Sequence, residues 1–148
     1  MFTSKQWFSK ILTLFVASVI VASLIGCGGN PNLFYASGKV TLDGKPVENA
    51  FVTFIPMSGG STSYGKTNAD GHYEMQFTDR LTGAWQGKNR VEIKTGDVGV
   101  RGEPAPRERI PSAYNTASTL VAEVKSGNNV FDFDLKSDAS KVVQPKLE

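Results

Sequence analysis

From residue 36 onward the sequence predicts an all-β sandwich, and three observations predict it. Apolar residues recur at every second position in strand-length runs, the period of a sheet with one buried face. Asp-Gly and Gly-Asn-Asn clusters separate those runs, supplying the positive backbone dihedrals that tight reversals need. Beyond the N-terminal apolar run, no window carries a helical stripe.

The first strand alternates Gly38, Val40 and Leu42 with Ser37, Lys39 and Thr41. Asp43-Gly44 then reverses the chain, and Pro46 follows where no ladder hydrogen bond is required. Val52 and Phe54 lie among Phe51, Thr53 and Ile55, an almost wholly apolar run suited to the middle of a sheet. A further strand is read near Ser61 to Thr67. After the Asp70-Gly71 turn, Tyr73, Met75 and Phe77 alternate with Glu74 and Gln76. Val91 and Ile93 stand between Arg90, Glu92 and Lys94, and Leu120, Ala122 and Val124 alternate with Val121, Glu123 and Lys125. Gly127-Asn128-Asn129 turns the chain into Phe131, Phe133 and Leu135, which alternate with Asp132, Asp134 and Lys136. Each run has one apolar and one wetter face, as two stacked sheets require.

The N-terminus is written in another grammar. Met1 to Lys10 carries Lys5 and Lys10 and no acid, and Ile11 to Ile25 holds no charge. A spanning helix needs roughly twenty apolar residues, so this run is short for one and fits a signal-peptide core. It ends at Leu24-Ile25-Gly26-Cys27, which holds the only cysteine of the chain. A lone thiol closes no internal disulfide and is too few for a structural metal site. These four residues resemble the lipobox of bacterial lipoproteins. The resemblance implies thioether attachment of diacylglycerol to Cys27, cleavage by signal peptidase II between Gly26 and Cys27, and N-acylation of the new terminus. The thiolate is the nucleophile that takes the lipid, and Gly26 keeps the scissile bond reachable. The alternative is an uncleaved anchor helix with Cys27 unmodified.

The expected organisation is a cleaved signal peptide (1–26), a lipidated tether (27–35), the β-sandwich (36–136) and a flexible polar tail (137–148). Loss of the leader takes two lysines and no acid, leaving fourteen basic residues against fourteen acidic ones, so the mature chain is neutral. The pI near 8.7 is partly the leader's. A neutral chain has no broad pull on nucleic acid or anionic headgroups, and its membrane attachment falls to the acyl chains, at about 0.8 kcal/mol per buried methylene. Gly28 rather than Asp follows the cysteine. By resemblance to families where that position sorts lipoproteins, this favours the outer membrane over the inner, without distinguishing its two faces.

Within the sandwich, Gly38 to Val47 (GKVTLDGKPV) with Ala50 to Phe54 resembles the opening of carboxypeptidase regulatory-like domains. Thr67-Asn68-Ala69-Asp70-Gly71-His72-Tyr73 is similar to that family's second signature, with Asn68 where an acid is common. Gly87 to Ile93, Ile110 to Asn115 and Asn129 to Leu135 are similar to segments of its small lipoprotein members. The resemblance spans about Ala36 to Lys136 and implies a transthyretin-like (prealbumin-like) seven-strand Greek-key sandwich, a module that usually accompanies a catalytic domain. Its signatures are turns and strand faces and carry no chemistry.

The residues themselves point away from an enzyme. His72 is the only histidine, so every histidine-based nucleophile device would need it, and its place beside a turn reads as structural. One histidine without a free thiol leaves no zinc site. Asp132 and Asp134 share a strand face about 7 Å apart. They suit calcium or an acid/base pair, or simply the wet face of a strand, the preferred reading.

The stretch that the fold leaves unexplained is Gly96 to Thr116, interrupted by Pro104, Pro106 and Pro111. Its Arg101, Arg107 and Arg109 are suited to gripping carboxylate, sulfate or phosphate. Tyr114, and Trp85 in the loop Leu81 to Gln86, are suited to stacking on a sugar ring. The preferred reading makes Tyr114 and Trp85 caps on the core and leaves the arginines in solvent. The expected function is a non-catalytic cell-envelope interaction module. It is held on the membrane by its lipid, has envelope proteins or saccharides as partners, and takes no nucleic acid and no cofactor. The alternative is a carrier of a sugar or hydrophobic molecule that uses the 96–116 loop.

Overall fold

A computed structural model describes residues 32–96, 107–138 and 144–145; the signal peptide, Gly26, Cys27 and Arg101 lie outside them. The described chain is all-β, with a single 3-10 turn at Ser112–Tyr114. Its strands are β1 (Leu33–Phe34), β2 (Ala36–Leu42), β3 (Lys45–Pro46), β4 (Phe51–Pro56), β5 (Ser63–Lys66), β6 (His72–Glu74) and β7 (Gln76–Thr78). They continue with β8 (Leu81–Thr82), β9 (Ala84–Trp85), β10 (Gly87–Lys94), β11 (Val121–Val124), β12 (Asn129–Val130) and β13 (Phe133–Leu135). Every run read from the alternation contains a strand. Among the described residues, no helix is long and apolar enough to cross a membrane.

The strands make two main sheets that do not close into a barrel. One runs β11-β10-β4-β5-β7-β8, and β4, the most apolar run, is central in it. The other is built on β2, with β12 and β13 parallel to it on one side and β3 and β6 antiparallel on the other. A small ladder pairs β1 with β9. The alternating side chains meet between the layers. Phe54 of β4 makes edge contacts with Phe131 (5.6 Å) and Phe133 (6.4 Å) of the opposite sheet. Around them Val40, Val52, Val91, Ile93, Leu120, Val124 and Leu135 are buried.

The Tyr73 to Phe77 run differs from the single strand expected of it. It divides at Met75, where β6 belongs to the β2 sheet and β7 to the β4 sheet. Met75 serves both halves, donating its N–H to Ala36 O (2.9 Å) and accepting Gly83 N–H (2.7 Å). The alternation continues through this corner because both halves face the same core.

Turn chemistry fixes the registers. Asp43 and Gly44 have φ of 51° and 78°, the two positive values of a type I′ hairpin turn, and they join Leu42 to Lys45 across it. In the second turn, Asn68 Oδ1 accepts the N–H groups of Asp70 and His72, each at 3.0 Å. That task needs an acceptor oxygen, which Asn and Asp share.

One close backbone contact organises the β2 sheet. β12 and β13 keep one register with β2, Asn129 beside Ala36 and Phe133 beside Val40. A regular parallel ladder would bring Lys39 N–H to the Phe131 carbonyl. Instead Lys39 N–H donates to Asp132 Oδ1 at 2.7 Å, and the Phe131 carbonyl accepts the Tyr73 hydroxyl at 2.7 Å. Tyr73 stands opposite Gly38 in the β2–β6 ladder. A methyl at Gly38 would lie 1.9 Å from the Phe131 oxygen, so only glycine fits there.

Candidate functional site

The long loop is tied back onto the sandwich at its base. Glu108 Oε1 accepts Thr95 N–H (3.0 Å), the Thr95 hydroxyl (2.8 Å) and Ile110 N–H (2.7 Å), while Oε2 accepts Gly96 N–H at 3.0 Å. Burial acts to raise its pKa. The N–H donors of Thr95, Ile110 and Gly96 and the Thr95 hydroxyl outweigh that, and the carboxyl is held below its ordinary value. Arg109 donates its guanidinium to Glu48 O at 2.7 Å and its N–H to Thr95 Oγ1 at 2.8 Å. Arg107 is exposed. Past Pro111 the 3-10 turn drops Tyr114 into the core, 1% exposed, where its hydroxyl accepts Lys136 N–H at 3.2 Å.

Trp85 sits on β9, in a segment the sequence presents as loop, with its ring against Phe77 at 5.9 Å. It is half-buried and lies over Gly60, at which a methyl would come 2.9 Å from the indole nitrogen. Tyr114 and Trp85 therefore both take structural positions. Neither lines the recess of about 320 Å³ where Arg109 stands beside Leu42, Lys45 and Pro46. The sequence-derived ligand set is not brought together in one cleft by its described members.

Asp132 and Asp134 do share an exposed strand face. Asp132 caps Lys39 N–H, and Asp134 accepts the Thr41 hydroxyl (2.9 Å) and pairs with Lys136 (2.9 Å). The Lys136 and Thr41 hydrogen bonds hold Asp134 below the ordinary carboxylate value. Among the described residues, no three His, Cys, Asp or Glu side chains form a group able to hold a metal.

A further recess lies elsewhere, on the outer face of the β2 sheet. It is an open groove of about 530 Å³ between Tyr35, His72, Glu74, Val130 and Asp132. Tyr35 is 41% and Val130 36% exposed, so the groove carries an apolar strip beside carboxylates. Sequence reasoning placed Tyr35 in the tether and missed it. The signal was its parity with Ser37 and Lys39, which puts it on the wet face of β2.

No family model, no curated protein and no solved structure matches this chain.

Proposed function

We propose that this chain is a lipid-anchored cell-envelope protein whose sandwich is a non-catalytic interaction and spacing module of the transthyretin-like, carboxypeptidase regulatory-like, Greek-key kind. The observation that carries the reading is the placement of Cys27. The only thiol follows a basic start and an uncharged run of fifteen residues, and it stands six positions before β1. In this reading thioether-linked diacylglycerol and the N-acyl chain hold the domain on the outer membrane, and the short segment between Cys27 and Leu33 keeps it near the bilayer. The hydrogen bonds of Glu108 to Gly96 and Ile110, at the described base of the 96–116 loop, support a module over a carrier that uses this loop. The carrier reading draws its support from the groove instead, where Tyr35 offers a ring face to a sugar.

Mass spectrometry of the protein extracted from membranes tests the anchor. The expected mature form starts at Cys27 and carries the mass of diacylglycerol plus one acyl chain. Cys27→Ala is expected to accumulate as unlipidated precursor. A parent protein with an unmodified Cys27, or a variant that matures and fractionates as the parent does, overturns the reading.

A further inference from the structure

Strand β11 is an outer strand of its sheet, with β10 on one side and no strand beyond it among the described residues. Val91 N–H donates to Leu120 O at 2.9 Å. In an antiparallel ladder this turns the peptide groups of Leu120, Ala122 and Val124 toward β10 and those of Val121, Glu123 and Lys125 outward. Such a row is a template for another strand.

Two side-chain amides occupy its ends. Gln144, from the C-terminal segment, accepts Val121 N–H on Oε1 at 2.8 Å and donates Nε2 to Thr119 O at 3.0 Å. Asn129 accepts Lys125 N–H on Oδ1 at 2.9 Å and donates Nδ2 to Lys125 O at 3.0 Å. Each amide presents one acceptor and one donor, as a paired strand would. Asn129 is fixed from β12 and also donates to Tyr35 O. Gln144 lies in the tail that the sequence presents as a flexible polar end.

We propose that Gln144 is a latch on this edge, and that releasing it opens β11 to the β11 of a second copy. The second copy is singled out by self-complementarity. With Lys125 held by Asn129, Gln144 releases the Val121 N–H, next to the outward groups of Glu123, and the Thr119 carbonyl, which returns to water. An antiparallel pairing about a two-fold axis through Ala122 sets Val121 of each copy opposite Glu123 of the other, so every N–H and C=O of both residues finds a partner. The register centred on Glu123 would oppose that carboxylate to itself and would need the Lys125 groups already taken. Gln144 holds Val121 N–H, the donor that the first register requires.

The test uses the full chain in detergent with reductant, comparing the parent with Gln144→Ala by residue-resolved hydrogen exchange and by light-scattering mass from micromolar to near-millimolar protein. Gln144→Ala is expected to speed exchange at Val121 by about tenfold at dilutions where it is monomeric, the loss of one net hydrogen bond. At high concentration its mass is expected to double and stop there while the parent stays at one copy. Adding Glu123→Pro, which removes an outward N–H without touching the β10 ladder, is expected to restore the single-copy mass. Unchanged exchange at Val121, a Gln144→Ala variant that remains single, open-ended aggregation instead of a closed pair, or a dimer that survives Glu123→Pro each overturns the proposal.

Discussion

The contact among Gly38, Phe131 and Tyr73 makes the sharpest demand on stability. In Tyr73→Phe the buried Phe131 carbonyl loses its donor, because Lys39 N–H is already committed to Asp132. A buried acceptor left unpaired costs about 1–3 kcal/mol. Taking 2 kcal/mol, at about 4 °C per kcal/mol for a domain of this size, the melting temperature falls by about 8 °C. Gly38→Ala is more severe. Its methyl would meet the Phe131 oxygen at 1.9 Å and carbon at 2.6 Å, both backbone atoms that no rotamer change can move. Separating β2 from the residues between β12 and β13 adds strain to the lost hydroxyl contact, and a cost above about 3 kcal/mol is expected.

Chemical unfolding followed by circular dichroism measures both costs, and the double variant measures their coupling. Because both act through one carbonyl, Tyr73→Phe should cost clearly less in the Gly38→Ala background than in the parent. Alkaline titration gives an independent reading. Burial, and then the Asp132 charge, raise the Tyr73 phenol well above its ordinary 10.0. The unfolded chain ionises first, so this contribution is intact below about pH 10 and is lost as pH rises beyond it. Tyr73→Phe should lack that loss. If Gly38→Ala matches the parent within about 1 kcal/mol, or the two costs simply add, the account of this contact is wrong.

Substitutions at two further positions separate the roles of polar side chains in turns. Glu108 ionises more readily in the folded chain, so its contribution is present above the ordinary carboxylate value of 4.5 and is lost as pH falls through its lowered folded value. Glu108→Gln should cost about 2 kcal/mol at neutral pH, after discounting charge-assisted hydrogen bonds for exposure, and should flatten the acid limb of a stability–pH curve; a parallel curve refutes it. Asn68→Ala, which strips the acceptor from Asp70 N–H and His72 N–H, should lower stability by about 1 kcal/mol, while Asn68→Asp should stay within about 0.5 kcal/mol of the parent. Thermal melts of the two variants check this, and equal losses would mean that the amide donor matters instead.

What could be read in advance follows from the period of two. It located the longer strands and their buried faces because each side chain's side is set by its neighbours along the chain. The Asp43-Gly44 turn was legible for a similar reason, as positive φ at two successive residues has few solutions in sequence. The corner at Met75 was not, since changing sheets while facing one core leaves the alternation intact. Strands of two residues, such as β1, β8 and β9, are too short to show a period. Gly38 read as one more position of the alternation, and the Phe131 carbonyl that presses on it lies 93 positions away. Gln144 looked like any polar tail residue; its partner is a backbone edge that exists only after folding.

The fate of the polar residues bears on what the domain does. Tyr73, Asn68, Asp132 and Glu108 are the side chains a chemist would shortlist, and each satisfies a backbone group that the fold leaves without a regular partner. Buried polar groups impose that demand on any sandwich with irregular ladders, so their presence needs no reaction to explain it. Two features are of another kind: an exposed tyrosine and valine along an open groove, and an edge strand whose ends are held by the Gln144 and Asn129 amides. Under the proposed function, both are surfaces open to contact. For a domain proposed to be tethered to a bilayer, where confinement raises the effective concentration of its neighbours, weak surfaces of this sort suffice.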